Sequence, residues 1–181
     1  LQLCSTSILL KEGEITRLGD SKSVVEHYYN DSVNTYCGVN NENNDIYLKR
    51  IEPCGENGPQ YSFAHTEQIK LRLVIGINKF YSLQNIGIAL LTRSKNRVFT
   101  VDKYLSDFAD SNTKEVVLDL IIEGGLIAPM DYSFLVALNT RTGPITYESH
   151  SDICPIKVYD DGTKFAFAEG FEYGCIILKD K

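Results

Sequence analysis

From residue 69 the chain beats with a period of two. Ile69, Leu71, Leu73, Ile75 and Ile77 interleave with Lys70, Arg72, Val74 and Gly76. An extended backbone sends successive side chains to opposite faces, so this stretch predicts a half-buried strand. The same beat returns at Asn85 to Arg93, with Ile86, Ile88 and Leu90 in step. It recurs at Val116, Leu118, Leu120 and Ile122, and again at Tyr132, Phe134, Val136 and Leu138. Ile46-Tyr47-Leu48, Tyr61-Ser62-Phe63 and Val98 to Val101 predict shorter strands. Ile153 to Tyr159 and Lys164 to Phe167 flank Asp160-Asp161-Gly162, a hairpin-turn sequence, and Phe171 to Leu178 closes the chain. Eight or nine short strands separated by turn signals predict an all-β fold over 45–181. The expected class is an immunoglobulin-like or jelly-roll antiparallel β-sandwich. A short helix is allowed over Val101–Phe108, ended by the Asp-rich stretch Asp107–Asn112. Tyr132, early in its strand, is expected to anchor a sandwich corner.

Residues 1–30 have a different style. Ser7-Ile8-Leu9-Leu10 reads as a strand, Lys11-Glu12-Gly13-Glu14 as a tight turn, and Ile15 to Leu18 as the returning strand. Asp20 or Ser21 then caps a helix carrying Val24, Val25, Tyr28 and Tyr29 on one stripe. Such a hairpin-helix remnant is too small to hold a core alone. Residues 31–44, with Asn40-Asn41-Glu42-Asn43-Asn44 at their extreme, read as a linker, because such side chains compete for backbone hydrogen bonds. The expected organisation is therefore 1–30, a linker over 31–44, and a sandwich over 45–181.

Composition narrows the classes. With 43% hydrophobic and 23% charged residues, the 181-residue chain is globular rather than disordered. The run Ile86–Leu91 is far shorter than the ~20 apolar residues of a membrane span. The chain starts at Leu1 and its one methionine is Met130, so a piece of a longer protein is expected. The net charge of -6 hides a segregation: residues 1–69 carry -5, 70–103 carry +6 and 104–181 carry -7. An acidic chain with one cationic segment is a poor nucleic-acid binder. That segment suits an anionic small group, an acidic neighbour, or the guarding of strand edges.

No phosphate-cradling loop, nucleophile elbow or HExxH run occurs. Cys4, Cys37, Cys54, Cys154 and Cys175 are odd in number and irregularly spaced, and His27, His65 and His150 are scattered. Reduced thiols acting as small core fillers are expected, and no metal site. Cys154 has His150 four residues away, expected in a loop. No catalytic residue is assigned and the chain reads as a non-enzyme.

Two sets of residues carry a resemblance. Cys4, Ile8-Leu9-Leu10, Lys11-Glu12-Gly13-Glu14-Ile15, Gly19-Asp20 and Val24–Tyr29 resemble the C-terminal tail of an ABC-transporter ATPase domain. The following linker and sandwich, with Pro129-Met130-Asp131-Tyr132, Asp152–Val158 and Gly170–Ile177, resemble the C-terminal carbohydrate-binding domain of Wzt-type ATPases. Those are the ATP-binding subunits of O-antigen polysaccharide exporters; Met130 stands where that family has Gly. The resemblance implies non-catalytic binding of the non-reducing terminus of a cytoplasmic O-antigen polysaccharide, coupling chain completion to export. It also implies a homodimer, contact with a transmembrane exporter subunit through the ATPase domain, and a location at the cytoplasmic side of the inner membrane. ATP and Mg would belong to the missing ATPase domain, with no cofactor in this chain. The alternative is a dimerisation or protein-interaction sandwich without direct glycan binding. A glycosidase-linked sugar binder would call for a secreted context with paired cysteines.

Sugar recognition needs planar hydrogen-bonding groups and aromatic faces, and charged caps need Arg or Lys. On that basis the candidate ligand residues are Lys70, Arg72, Arg93, Asn139, Arg141 and Tyr147, provided that their strands share one sheet. Tyr81 and Tyr104 are expected as packed loop aromatics.

Overall fold

In the computed structural model the chain divides into two compact units, Leu1–Asn34 and Thr35–Lys181. The structure describes residues 4–21, 23–24, 27–28, 36–37, 43–56, 58–141, 145–163 and 174–177. The expected strand Lys164–Phe167, most of the expected strand Phe171–Leu178, and the Gly143-Pro144 turn lie outside them.

In the first unit β1 (Thr6–Lys11) and β2 (Glu14–Asp20) form an antiparallel ribbon. Glu12 and Gly13 both take positive φ, 54° and 87°, the geometry of a two-residue hairpin loop whose twist matches its strands. Ser21, Ser23, Val24, His27 and Tyr28 are helical. The Asp20 carboxylate accepts the Ser23 N–H at 3.1 Å, so Asp20 is the cap.

The second unit is a two-layer sandwich. Its strands are β3 (Tyr36–Cys37), β4 (Ile46–Gly55), β5 (Gly58–Pro59), β6 (Ser62–Ala64), β7 (Ile69–Ile77), β8 (Gln84–Thr92), β9 (Arg97–Tyr104), β10 (Glu115–Ile122), β11 (Asp131–Thr140) and β12 (Thr146–Tyr159). One sheet runs β10-β7-β4-β3 with β5 on β4; the other runs β6-β12-β11-β8-β9. Ile46, Leu48, Leu71, Leu73 and Ile75 from the first sheet meet Ile86, Leu90, Phe134, Val136 and Leu138 from the second, all buried. These are the residues whose alternation predicts the strands. Tyr132 is buried and its hydroxyl donates to the Ala128 carbonyl at 2.8 Å, the expected corner anchor. Burial pushes its phenol well above the usual range.

Four expectations are corrected. Tyr36–Cys37, inside the expected linker, pairs with Ile51 and Arg50 of β4. Edge pairing uses backbone groups, so two residues in an Asn-rich stretch give no periodic signal. The helix allowed at Val101–Phe108 is instead the end of β9 and one 3₁₀ turn, Leu105–Asp107. The sandwich is not wholly antiparallel, because β6 pairs with β12 in parallel. His150 lies in β12 rather than a loop. That strand begins with the polar run Thr146–Asp152 and shifts register repeatedly against β11, which erases the alternation.

Among the thiols, Cys54 and Cys154 are buried as expected, while Cys4 is exposed. Burial, reinforced by Glu52, pushes the Cys54 thiol up. Cys154 takes a positive φ of 48° and its thiol lies 3.5 Å from the Ile51 carbonyl of β4. Across the same seam the Glu148 carboxylate of β12 accepts the Leu48 N–H of β4, and Asn44 Nδ2 donates to the Tyr147 carbonyl at 3.1 Å. The two layers are thus hydrogen-bonded to each other along β4 and β12.

Candidate functional site

Ile86, Ile88 and Leu90 belong to the core, so the intervening residues of β8 face away from it. Register sets their neighbours. Asn85 lies between Asn139 of β11 and Tyr104 of β9, Gly87 between Ala137 and Asp102, and Ala89 between Leu135 and Thr100. Gly87, Ala89 and Ala137 therefore make a low strip, bordered at one end by two amides, a carboxylate and a phenol.

Local contacts order that end. A Cβ on Gly87 would stand 3.0 Å from Asp102 Oδ1, so the carboxylate folds over the glycine. Asn85 Nδ2 donates to the same oxygen at 3.1 Å. The Arg141 backbone N–H is held by the Leu83 carbonyl, and its guanidinium lies over the Tyr104 ring, 5.1 Å from the centroid. Asn85 is 4% exposed, yet its Oδ1 has no hydrogen-bond partner among the described residues. A desolvated acceptor without a donor is costly, and buried polar groups are nearly always satisfied.

The structure brings only some of the sequence candidates together. Asn139 and Arg141 stand at this end of the β8–β11 pair. Tyr147 is nearby but sits at a register shift of β12 and packs, half-buried, against the core, with its hydroxyl 3.5 Å from Gln84 Nε2. Arg93 follows the far end of β8, about 30 Å away for a strand of that length. Lys70 and Arg72 are on β7, in the other sheet. The condition that all these strands share one sheet therefore fails. Alternation gives each strand a face but does not say which layer it joins.

Arg72 is already engaged. Its Nε and Nη2 bind the two Asp119 carboxylate oxygens at 2.8 Å each, across matched β7 and β10 positions. That hydrogen bond, with the charge behind it, holds the Asp119 carboxyl below its usual range. A lowered folded-state value contributes stability in full above the unfolded value near pH 4 and loses it as pH falls further. Both side chains are about a third exposed, so the contribution is small. The melting-temperature deficit of Arg72→Ala should thus be modest at pH 7 and shrink as the pH falls below the usual carboxylate range; a deficit unchanged on acidification would deny the pair its role.

The rest of the cationic segment is spread out too. Lys95 pairs with Asp152, which holds that carboxyl down, and Lys79 lies over the Tyr81 ring at 4.9 Å. Sequence reasoning missed Asn85 and Asp102, and placed Tyr104 in a loop where it ends β9. The one available signal was an amide at an outward position of an otherwise apolar strand. Among the described residues no group of three His, Cys, Asp or Glu could hold a metal, and no helix is long and apolar enough to cross a membrane.

Neither a family model nor a curated sequence matches the chain. A solved structure does: the crystal structure of the C-terminal domain of Wzt, at TM-score 0.60 and 13% identity, covering 76% of this chain and 83% of that one. The chain has the Wzt C-terminal fold. The expected β-sandwich and its resemblance to that domain are thereby met at the level of architecture. A Parabacteroides merdae β-glucuronidase also matches, at TM-score 0.39 and 9% identity over 63% of this chain and 14% of that one, too low to carry weight. The Asn85 end of the strip gathers two planar amides, a carboxylate, a forked cation and an aromatic ring.

Proposed function

We propose that the sandwich binds a carbohydrate non-catalytically through Asn85, Asp102, Tyr104, Asn139 and Arg141. In its full protein this would be recognition of the non-reducing terminus of a cytoplasmic O-antigen polysaccharide, coupling chain completion to export. The protein would work as a homodimer, joined to a transmembrane exporter subunit through an ATPase domain at the inner membrane. One observation carries the reading: the unpartnered Asn85 Oδ1 stands in one register row with Asn139 and Tyr104, beside a guanidinium stacked on the ring. Tyr104 offers a face for the C–H side of a pyranose, and Arg141 and Asn139 offer donors to its oxygens.

Calorimetric titration with the source organism's own polysaccharide tests this. Tyr104→Ala and Arg141→Ala should each weaken binding about three- to tenfold, the worth of one stacking or charge-assisted contact. Arg72→Ala and Arg93→Ala should leave it unchanged. The reverse pattern moves the site to another face.

A second reading has its own observation. On β10, at the edge of its sheet among the described residues, Val117 and Ile121 are 55% and 50% exposed. Such an edge can pair with another strand. If this edge joins two copies, Val117→Lys shifts the sedimentation profile from dimer to monomer without altering glycan affinity. An unchanged profile removes this reading.

A further inference from the structure

Entry to this site is set by its own side chains, and we propose that Arg141 and Tyr104 form a strap that crosses β8 and closes over Asn85 in the free protein. A sugar enters by taking the place of the guanidinium on the Tyr104 ring. The strap stands on geometry alone; its role as a gate rests on the carbohydrate binding proposed above.

Topology places the strap. β8 lies between β11 and β9. Neighbouring strands stand about 5 Å apart, so these two flanks are about 10 Å from each other. Tyr104 of β9 and Asn139 of β11 are the register partners of Asn85, and all three side chains share the outward face. Arg141 follows two residues after Asn139 on that face, with its N–H on the Leu83 carbonyl. The guanidinium and the ring therefore start from opposite flanks. With 5.1 Å between the guanidinium carbon and the ring centroid, they meet above β8, between the Leu83 and Asn85 rows.

Exposure changes across that line. Leu83, just before β8, and Asn85 take consecutive outward positions, yet Leu83 is 45% exposed and Asn85 4%. On the other side of Asn85 the Asp102 carboxylate lies over Gly87 and accepts Asn85 Nδ2 at 3.1 Å. Asn85 is thus covered from both directions along its strand.

Two opposing effects keep the strap easy to open. A cation stacked on a ring at an exposed position is a weak contact. While it holds, Asn85 Oδ1 is closed to solvent and has no hydrogen-bond partner among the described residues, which costs free energy. Opening gives up the first and relieves the second. A pyranose then sets its C–H face on the ring and donates a hydroxyl to Oδ1, while the freed guanidinium turns its N–H groups to sugar oxygens.

Nuclear magnetic resonance on the whole 181-residue chain tests both parts. In the free protein the Arg141 δ protons should lie upfield, shifted by the Tyr104 ring, and should return to ordinary positions in Tyr104→Leu. The Asn85 side-chain amide protons should exchange about tenfold faster in Arg141→Ala and at the wild-type rate in Arg93→Ala. An Asn85 rate that Arg141→Ala leaves unchanged overturns the strap. The probe for the gate is a short oligosaccharide cut from the non-reducing end of the source organism's polysaccharide, with binding followed by calorimetry. At saturation the upfield shift of Arg141 should vanish. A shift that survives saturation overturns the gate and leaves carbohydrate binding standing. An oligosaccharide that gives no heat and moves none of these signals overturns the binding and the gate together.

Discussion

Phe134→Ala should lower the unfolding free energy by about 3–5 kcal/mol. Phe134 is fully buried in the middle of β11, with Leu90 of β8 on one side and Ile153 of β12 on the other. Truncation deletes an aromatic ring that packs against both neighbours and faces the opposite layer. The strands around it are pinned by their ladders, so the hole cannot close by collapse. Against a typical total of about 5–15 kcal/mol, that loss takes a large share. Urea titration followed by tyrosine fluorescence reads it directly, since the chain has 11 tyrosines and no tryptophan. The midpoint should fall with the slope unchanged. A midpoint that stays put would mean that the two layers do not meet at this residue.

Glu148→Ala should cost about 3 kcal/mol, by a different mechanism. The Glu148 side chain is 3% exposed. One carboxylate oxygen accepts the Leu48 N–H of the opposite sheet, and the other lies 3.2 Å from His150 Nε2. Alanine would leave a buried backbone donor and a partly exposed imidazole without this acceptor. Glutamine keeps an acceptor for the Leu48 N–H, so Glu148→Gln should lose less than half as much. Equal losses in the two variants would show that volume, not the bridging oxygen, matters at this position.

The contrast between these two residues shows what was legible in the sequence. Phe134 belongs to an unbroken alternation, and a strand with one buried face must write that face into every second residue. The same holds for β7 and β10, while β8 alternates in sequence but is buried on both faces; the alternation was enough to give the sandwich. Glu148 sits in Thr146–Asp152, where a charged side chain occupies a core position. Pattern reasoning reads that as solvent-facing, whereas in the structure it meets the Leu48 N–H 100 residues away as well as His150. The candidate site was half legible for a related reason. Asn139 and Arg141 were identifiable as polar residues leaving a strand. Asn85 and Asp102 acquire meaning only through the pairing of β8 with β9, and pairing between strands is not encoded in either strand alone. Lys70 and Arg72 lie in the other layer, and layer membership is a property of topology; Arg93 shares the sheet of Asn139 but follows the far end of β8.

The parallel pairing of β6 with β12 bears on how the chain reaches this state. Ser62–Ala64 find their partner at Lys157–Tyr159, and β4 leans on the same late strand through Glu148. Early segments therefore remain incomplete until nearly all of the domain has left the ribosome. Loop closure over such separations is entropically expensive and slow, so the nascent chain must keep its unfinished edges apart from those of its neighbours while it waits.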